Sequence, residues 1–222
     1  MQVSCNKGPT VQECGGGNRR WRRVRSGRFA RGTGVKVSNA GDGLTRCPWG
    51  ETPEVYRDYH DQEWGRPIRG DDALFERVSL EAFQSGLSWL VILRKREAFR
   101  KAFADFSIAK VAAFTEADAA RLLGDAGIVR NRMKIDATIA NAKAAAELDG
   151  GLSDFVWSFA PEPRARPARI TDVPAVTPES TALAKALKKR GFKFVGPTTA
   201  YAMMQAIGMV DDHLADCHVP AR

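Results

Sequence analysis

The sequence contains no apolar run long enough to cross a membrane, and it is poor in histidine and cysteine. Its longest apolar stretch, SWLVIL at 88–93, is far shorter than the ~18 residues of a membrane span. The basic N-terminus is not followed by the apolar segment that a secretory signal requires. These absences favour a cytoplasmic protein without a membrane partner. The four cysteines are then expected to be free, metal-bound or catalytic rather than paired in disulfides.

The net charge of +8 belongs to the first part of the chain and not to the whole of it. Residues 1–46 hold ten Lys or Arg and two acidic residues, whereas the remaining 176 residues hold 24 of each. Residues 1–43 are also rich in Gly, Arg and Ser and lack any helical or strand period, which predicts a disordered tail. A solvated extension is the favoured interpretation. The alternative is a phosphate-binding arm that uses Trp21 and Phe29 among its arginines.

From Leu44 onward the apolar residues follow a helical period, and no alternating strand pattern or internal repeat is found. The pattern predicts an all-α domain over residues 44–222 with roughly eight helices. Asp71 or Asp72 is expected to cap one of these helices, and Thr115 to open another with a capping box. The longer predicted helices cover 71–84, 88–103, 131–148, 152–159, 178–190 and 198–210.

Residues 122–135, LLGDAGIVRNRMKI, have the pattern of a helix, a Gly-containing turn and a second helix. Arg130, Arg132 and Lys134 lie at the start of the second helix, where free N–H groups and cations favour phosphate binding. The segment resembles a helix-hairpin-helix, which clamps a DNA backbone without reading its sequence. From the turn alone, an ordinary connection between two helices is the favoured interpretation.

Two of the three histidines lie near the C-terminus in DDHLADCHVP, where His213 and Cys217 are spaced H-x₃-C. If this segment is helical, the two side chains share one face. Cys47 and His60, at the other end of the body, complete a Cys₂His₂ set of the kind that holds structural zinc. A metal there could join the two ends of the domain. The residues alone leave zinc and ordinary core roles equally open.

Six long strings of unusual residue combinations run through the body. They are RCPW (46–49), YHDQEWGRP (59–67), LEAFQSGLSWLVILRKREAFRKAF (80–103), DAGIVRNRMKIDATIANA (125–142), SDFVWSF (153–159) and ALKKRGFKFVGPTTAYAMMQAIGMVDDH (186–213). Together they resemble the DNA-3-methyladenine glycosylase I family over about residues 46–217, whereas residues 1–43 have no counterpart in it.

The resemblance implies a helix-hairpin-helix glycosylase fold and one structural Zn²⁺ that joins the N- and C-terminal segments. Its ligands would be Cys47, His60, His213 and Cys217. The implied activity is that of a monofunctional enzyme, which hydrolyses the N-glycosidic bond of 3-methyladenine in alkylated double-stranded DNA and leaves an abasic site. A non-catalytic, zinc-stapled module that binds DNA damage is the alternative. A monomer is expected.

The resemblance also assigns roles to individual residues. Glu81 is expected to be catalytic and to bind the flipped base together with Tyr59 and Trp89, and Tyr56 is expected nearby. DNA contacts are expected from Gly86 and Leu87, at the break between two helices, and from Gly127, Arg130 and Arg132 in the hairpin.

Overall fold

The computed structural model describes residues 41–221, and every regular element in this range is a helix. The predicted all-α class is therefore confirmed, while the predicted tail, residues 1–43, falls almost entirely outside the described residues. Three short 3₁₀ helices lie at Pro48–Gly50, Ala104–Phe106 and Ile170–Asp172. The α-helices of residues 41–221 are α1 (Glu54–Gln62), α2 (Asp71–Gln84), α3 (Trp89–Ala102), α4 (Ile108–Ala112), α5 (Glu116–Gly124), α6 (Arg132–Ala146), α7 (Gly151–Trp157), α8 (Pro178–Lys189) and α9 (Pro197–Ala206).

Several helix starts follow the local signals in the sequence. The Asp118 carboxylate accepts hydrogen bonds from the backbone N–H and the hydroxyl of Thr115, as in the predicted capping box of α5. α6 begins after Asn131, whose side chain accepts a hydrogen bond from the backbone of Lys134. Pro178 occupies the first turn of α8, where its missing N–H is harmless.

The prediction that Asp71 or Asp72 caps α2 is wrong, because Gly70 occupies the N-cap position. Both carboxylates instead accept hydrogen bonds from other helices. Asp71 binds the backbone N–H of Ser153 in the first turn of α7, and Asp72 binds that of Ile108 at the start of α4. The two aspartates thus satisfy free N–H groups across the fold and tie the start of α2 to two neighbours.

α2 is the central helix and carries the main candidate residue. It contacts α3, α4, α6, α7 and α9, and nine of the ten residues at 74–83 are buried. Because the helix is enclosed on all sides, the polar residues Arg77, Ser79 and Glu81 are buried together with the apolar ones. Burial of polar groups opposes folding unless they are paired, so their presence here calls for another reason.

Residues 122–135 form the predicted pair of helices, with the end of α5, a turn and the start of α6. Gly127 in the turn packs tightly on α3, because a Cβ atom there would lie 2.9 Å from the Cβ of Ala98. The glycine therefore has a packing role at this position.

The segment after α9 is not helical, so His213 and Cys217 do not share a helix face. It is held by tertiary bonds. The Arg166 guanidinium donates to the Asp211 carboxylate and to the carbonyls of Val219 and Pro220. Among the described residues, none of the helices has the length and apolarity needed to cross a membrane.

Candidate active site and metal centre

Glu81 is a buried carboxylate without a neutralising contact. Glu81 is 5 % exposed, and its carboxylate forms no hydrogen bond or ion pair with residues 41–221. Burial raises the pKa of the Glu81 carboxyl to about 7, although the positive charge of Arg77 lowers it. The protein itself therefore stabilises the ionised carboxylate poorly, which is typical of a group that binds a ligand.

A small cavity contacts Glu81 between α2, α8 and α9. Its volume is about 10 Å³, enough for about one water molecule. A purine base is much larger than this cavity. The lining residues were not predicted from the sequence, where they have the pattern of ordinary core positions; besides Glu81 they are Val78, Leu187, Val195, Thr199, Ala200 and Met203.

The structure brings Tyr59 and Trp89 together beside α2. Their ring centroids are 5.6 Å apart at an interplanar angle of 50°, and both residues are buried. Burial raises the pKa of the Tyr59 hydroxyl, Arg77 opposes this shift, and the charge of Glu81 adds to it. Tyr59 is joined to α2 by Arg77, one helical turn before Glu81, whose guanidinium lies 3.5 Å from the Tyr59 hydroxyl. The indole N–H of Trp89 is buried without a hydrogen-bond partner among residues 41–221.

Tyr56 contacts Tyr59 and His60 indirectly, through Trp49. The sequence did not predict this role of Trp49. The ring of Trp49 contacts Tyr56 edge-on at 6.1 Å and Tyr59 at 6.3 Å between centroids. The same ring lies 5.1 Å from that of His60. Trp49 therefore connects the predicted base-binding residues to the predicted metal ligands. Its place in the string RCPW was a usable signal.

Arg77, one helical turn before Glu81, was also missed. Its guanidinium lies 3.5 Å from the Tyr59 hydroxyl and 5.5 Å from the ring centroid. Glu63 accepts hydrogen bonds from both Arg77 and Arg96, at 3.0 Å and 2.5 Å. Burial raises the pKa of Glu63, but the two arginines hold it below its ordinary value. Glu63 thus balances one of the two arginine charges, whereas Glu81 forms no ion pair with either arginine.

Gly86 and Leu87 form an exposed turn between α2 and α3. Gly86 has a φ of +78°, a left-handed conformation that glycine adopts without strain. The Leu87 N–H donates to the Gln84 carbonyl at 2.6 Å, and the Leu87 side chain is 40 % exposed. The turn therefore presents an apolar side chain to solvent.

The two hairpin arginines have different surroundings. Arg132 binds the carboxylates of Glu116 and Asp136, so its charge is already balanced. Arg130 is exposed and forms no hydrogen bond or ion pair within residues 41–221. Of these two arginines, Arg130 is the one with a free guanidinium.

The four predicted metal ligands converge in one buried cluster. Their donor atoms all lie within 4.8 Å of one another. The Cys217 Sγ atom is 3.5 Å from His60 Nε2 and from His213 Nδ1, and Cys47 Sγ is 3.8 Å from His213 Nδ1. Tetrahedral zinc, with bonds of ~2.3 Å to sulfur and ~2.0 Å to nitrogen, places S and N about 3.6 Å apart. The side chains therefore fit one tetrahedral ion.

The remaining ring nitrogens of the two histidines are also hydrogen-bonded. His60 Nδ1 lies 2.7 Å from Asp61 Oδ1, and His213 Nε2 lies 3.2 Å from the Trp64 carbonyl. Asp61 is in turn held by Arg46 at 2.8 Å and by His218 at 3.0 Å. Such outer bonds orient imidazole rings and fix the tautomer that a metal needs.

The comparison with protein families decides the identity of the chain. The sequence model of the methyladenine glycosylase family matches residues 49–220. The chain belongs to the methyladenine glycosylase family. The family predicted from the sequence strings is thereby confirmed.

Relatives of this chain are known from both sequence and structure. The DNA-3-methyladenine glycosylase of Haemophilus influenzae and DNA-3-methyladenine glycosylase 1 of Escherichia coli are 48 % and 47 % identical to it over 179 residues, 78 % of this chain and 96 % of each relative. A crystal structure of 3-methyladenine DNA glycosylase I is 46 % identical, with a TM-score of 0.77 over 80 % of this chain and 100 % of that one. The Staphylococcus aureus enzyme, solved for its recognition of 3-methyladenine, is 38 % identical, with a TM-score of 0.75 over 78 % of this chain and 96 % of its own.

Proposed function

We propose that this protein hydrolyses the N-glycosidic bond of 3-methyladenine in alkylated double-stranded DNA and leaves an abasic site. The enzyme class follows from the family, because the curated relatives are DNA-3-methyladenine glycosylases. The observation in this chain that carries the proposal is the buried, unpartnered carboxylate of Glu81 on α2, the helix that Tyr59 contacts through Arg77 and beside which Tyr59 and Trp89 pack together. All these residues belong to one chain, so a monomer suffices.

The substrate's chemistry suits such a site. Methylation at N3 gives adenine a positive charge and weakens its bond to deoxyribose, so the base leaves in neutral form without a strong general acid. Glu81 accepts hydrogen bonds from the exocyclic amine and complements the cation. The faces of Tyr59 and Trp89 attract it further, by roughly 2 kcal/mol when desolvated.

The same arrangement explains selectivity against normal bases. The enzyme must flip the nucleotide out of the duplex before it reaches the pocket, which opposes binding. A cationic base in the pocket compensates for the free energy of flipping and for the unfavourable burial of the Glu81 charge. Neutral adenine offers Glu81 no opposite charge. Water then attacks the sugar carbon of an oxocarbenium-like state, which the neighbouring phosphates stabilise.

The Cys₂His₂ cluster is proposed to hold one structural Zn²⁺. Cys47 and His60 come from the start of the described domain, and His213 and Cys217 from its end. Four protein ligands leave no position for a water molecule, so the ion serves the fold and not the hydrolysis. A metal at this position cross-links the non-helical C-terminal segment to α1.

Two segments are proposed to contact the duplex. The exposed Leu87 fills the gap left by the flipped nucleotide, and the left-handed Gly86 makes the sharp turn that presents it. The hairpin at 122–135 binds the backbone through the N-terminus of α6 and through Arg130. The balanced charge of residues 47–222 does not oppose this, because a local cation is enough for a phosphate contact.

The Arg130→Glu variant is expected to bind duplex DNA about tenfold more weakly and to have a shallower dependence of binding on salt. The change removes a free phosphate partner and adds a repelling charge. Titration of labelled duplex at several salt concentrations measures both quantities. The control Lys185→Glu makes the same change of charge at an exposed position on α8. Equal weakening in both variants would remove Arg130 from the DNA contact.

Chromatography of the bases released from methylated duplex DNA tests the function directly. The purified protein is expected to release 3-methyladenine, with little 7-methylguanine or normal adenine, and to leave the strand uncut. Release of several bases would contradict the selectivity argued from Glu81 and the aromatic rings. A folded protein that binds DNA but releases no base would overturn the proposed activity.

A further inference from the structure

Lys134 is a buried lysine that binds the end of another helix. It lies in the first turn of α6 and is 8 % exposed, whereas the preceding Met133 is 68 % exposed. Its Nζ atom donates to the carbonyl of Phe83 at 2.8 Å and to that of Ser85 at 2.6 Å. These carbonyls lie at the C-terminus of α2, the negative end of the helix dipole, where a cation is favourable.

No acidic residue within 41–221 pairs with this ammonium group, and burial lowers the pKa of Lys134. A buried cation held only by neutral carbonyls is a weak means of stabilising a fold, because its desolvation opposes the gain. An apolar side chain would avoid this penalty, but it would leave the carbonyls of Phe83 and Ser85 without this donor. The position of the bonded carbonyls therefore deserves an explanation in terms of function.

Those carbonyls lie beside the two segments proposed to touch DNA. Ser85 directly precedes Gly86 and Leu87, while Lys134 belongs to the helix that follows the hairpin turn. A second lysine, Lys95 of α3, donates to the carbonyls of Ala126 and Gly127 in that turn. Polar bonds thus join α6 to the end of α2 and the hairpin turn to α3, the two helices that flank the α2–α3 turn.

We propose that Lys134 is a positioning residue that fixes the turn carrying Leu87 relative to the hairpin. The insertion of Leu87 into the duplex and the binding of the phosphate backbone by the hairpin require a fixed distance between the two segments. A displacement of about 1 Å can reduce a rate about 100-fold. This inference rests on the proposed function, because it concerns the step that removes the base from the helix.

The test compares Lys134→Met, which keeps an unbranched side chain of nearly the same length but removes the charge and the donors, with Lys143→Met, which removes an exposed lysine from the same helix. Single-turnover release of 3-methyladenine from duplex DNA is expected to fall at least about tenfold in Lys134→Met and to change little in Lys143→Met. Binding of free 3-methyladenine is expected to be equal in all proteins. Parallel losses of free-base binding and excision would show a general structural defect and overturn the proposal.

A double-mutant cycle with Leu87→Ala tests the route of the effect. If Lys134 acts through the turn, Lys134→Met adds little to the loss already caused by Leu87→Ala. Independent, multiplied losses would overturn the proposal.

Lys134→Arg keeps the charge and the donors, so it covers the case in which the methionine variant does not fold. Arginine is expected to retain most of the duplex activity, and a loss of tenfold or more in the folded arginine variant would contradict the assignment. Absence of base release by the unmutated protein would instead refute the proposed function.

Discussion

Glu81→Gln is expected to lower the excision of 3-methyladenine roughly 100-fold and, at the same time, to stabilise the fold at alkaline pH. Glutamine keeps the shape and the carbonyl oxygen but lacks the charge that complements the methylated base. A charge-assisted hydrogen bond in a buried site contributes up to about 3 kcal/mol, which corresponds to roughly two powers of ten in rate. Single-turnover excision from a duplex that contains 3-methyladenine measures this loss.

The gain in stability follows from the raised pKa of Glu81. The carboxyl titrates near pH 4.5 in the unfolded chain and near 7 in the folded one, so the folded state holds the proton more tightly. The stability of the unmutated protein therefore falls as the pH rises between these values, by roughly 3 kcal/mol in total. Glutamine does not ionise, so the variant is expected to gain about this amount above pH 8 and little below pH 4.

The same titration predicts the pH dependence of the reaction. Binding of the cationic base requires ionised Glu81, so kcat/KM is expected to fall about tenfold for each pH unit below about 7. The glutamine variant has no such group and is expected to lose this slope. A sloping profile in the variant would assign the titration to another residue.

Glu76→Gln provides the matched control on the same helix. The Glu76 carboxylate is also largely buried, but it accepts hydrogen bonds from Arg100 at 2.8 Å and 3.1 Å. Removal of this paired charge is expected to destabilise the fold by up to about 1 kcal/mol and to leave excision unchanged. Urea denaturation at pH 5 and pH 8 distinguishes the opposite signs. Unchanged excision in a folded Glu81→Gln variant would remove Glu81 from the site.

Local patterns in the sequence predicted most helices and the grouping of the site, but not the contacts across the fold. The 3.6-residue period and the capping residues gave the helices, since both signals act within one turn. Asp71 and Asp72 had the right spacing to cap α2, yet they bind N–H groups of α4 and α7. Such a partner is more than 35 positions away in the chain, and no local signal points to it.

The Cys₂His₂ cluster and Lys134 show the same limit. The rarity of histidine and cysteine indicated a Cys₂His₂ set, and its members do converge, although His213 and Cys217 lie on a non-helical segment. The sequence places Lys134 among the cations at the start of the second hairpin helix, but its side chain points inward to α2. Its direction depends on where α2 ends in space. The contact between Arg77 and the Tyr59 hydroxyl depends likewise on how α1 packs against α2.

Cys47→Ser is expected to release the metal and to lower the free energy of unfolding by about 4 kcal/mol or more. Cys47 is buried beside Leu214, Cys217 and Val219 in a small cluster separate from the main core. Serine binds zinc poorly, so the thiol and imidazoles of the cluster would remain without the ion that joins them. Elemental analysis is expected to give about one zinc per chain in the unmutated protein and almost none in the variant.

Cys14→Ser is the matched control, because it makes the same substitution at a cysteine outside the set. It is expected to keep both the zinc content and the stability of the unmutated protein. Retention of one zinc per chain by a stable Cys47→Ser variant would contradict the proposed ligand set. If that variant does not fold, a chelator titration of the unmutated protein replaces it, with a fall in melting temperature as zinc is removed.

A structural ion and a catalytic ion differ in what remains after zinc loss. An ion held by all four side chains of the cluster would have no position left for an attacking water. The fraction of zinc-depleted protein that stays folded at low temperature is therefore expected to excise 3-methyladenine at an almost unchanged single-turnover rate. A rate that falls in proportion to zinc content, while circular dichroism shows a fully folded domain, would place the ion in the reaction itself. The path for such an effect would run from His60 through Trp49 to Tyr59, whose rings lie in contact.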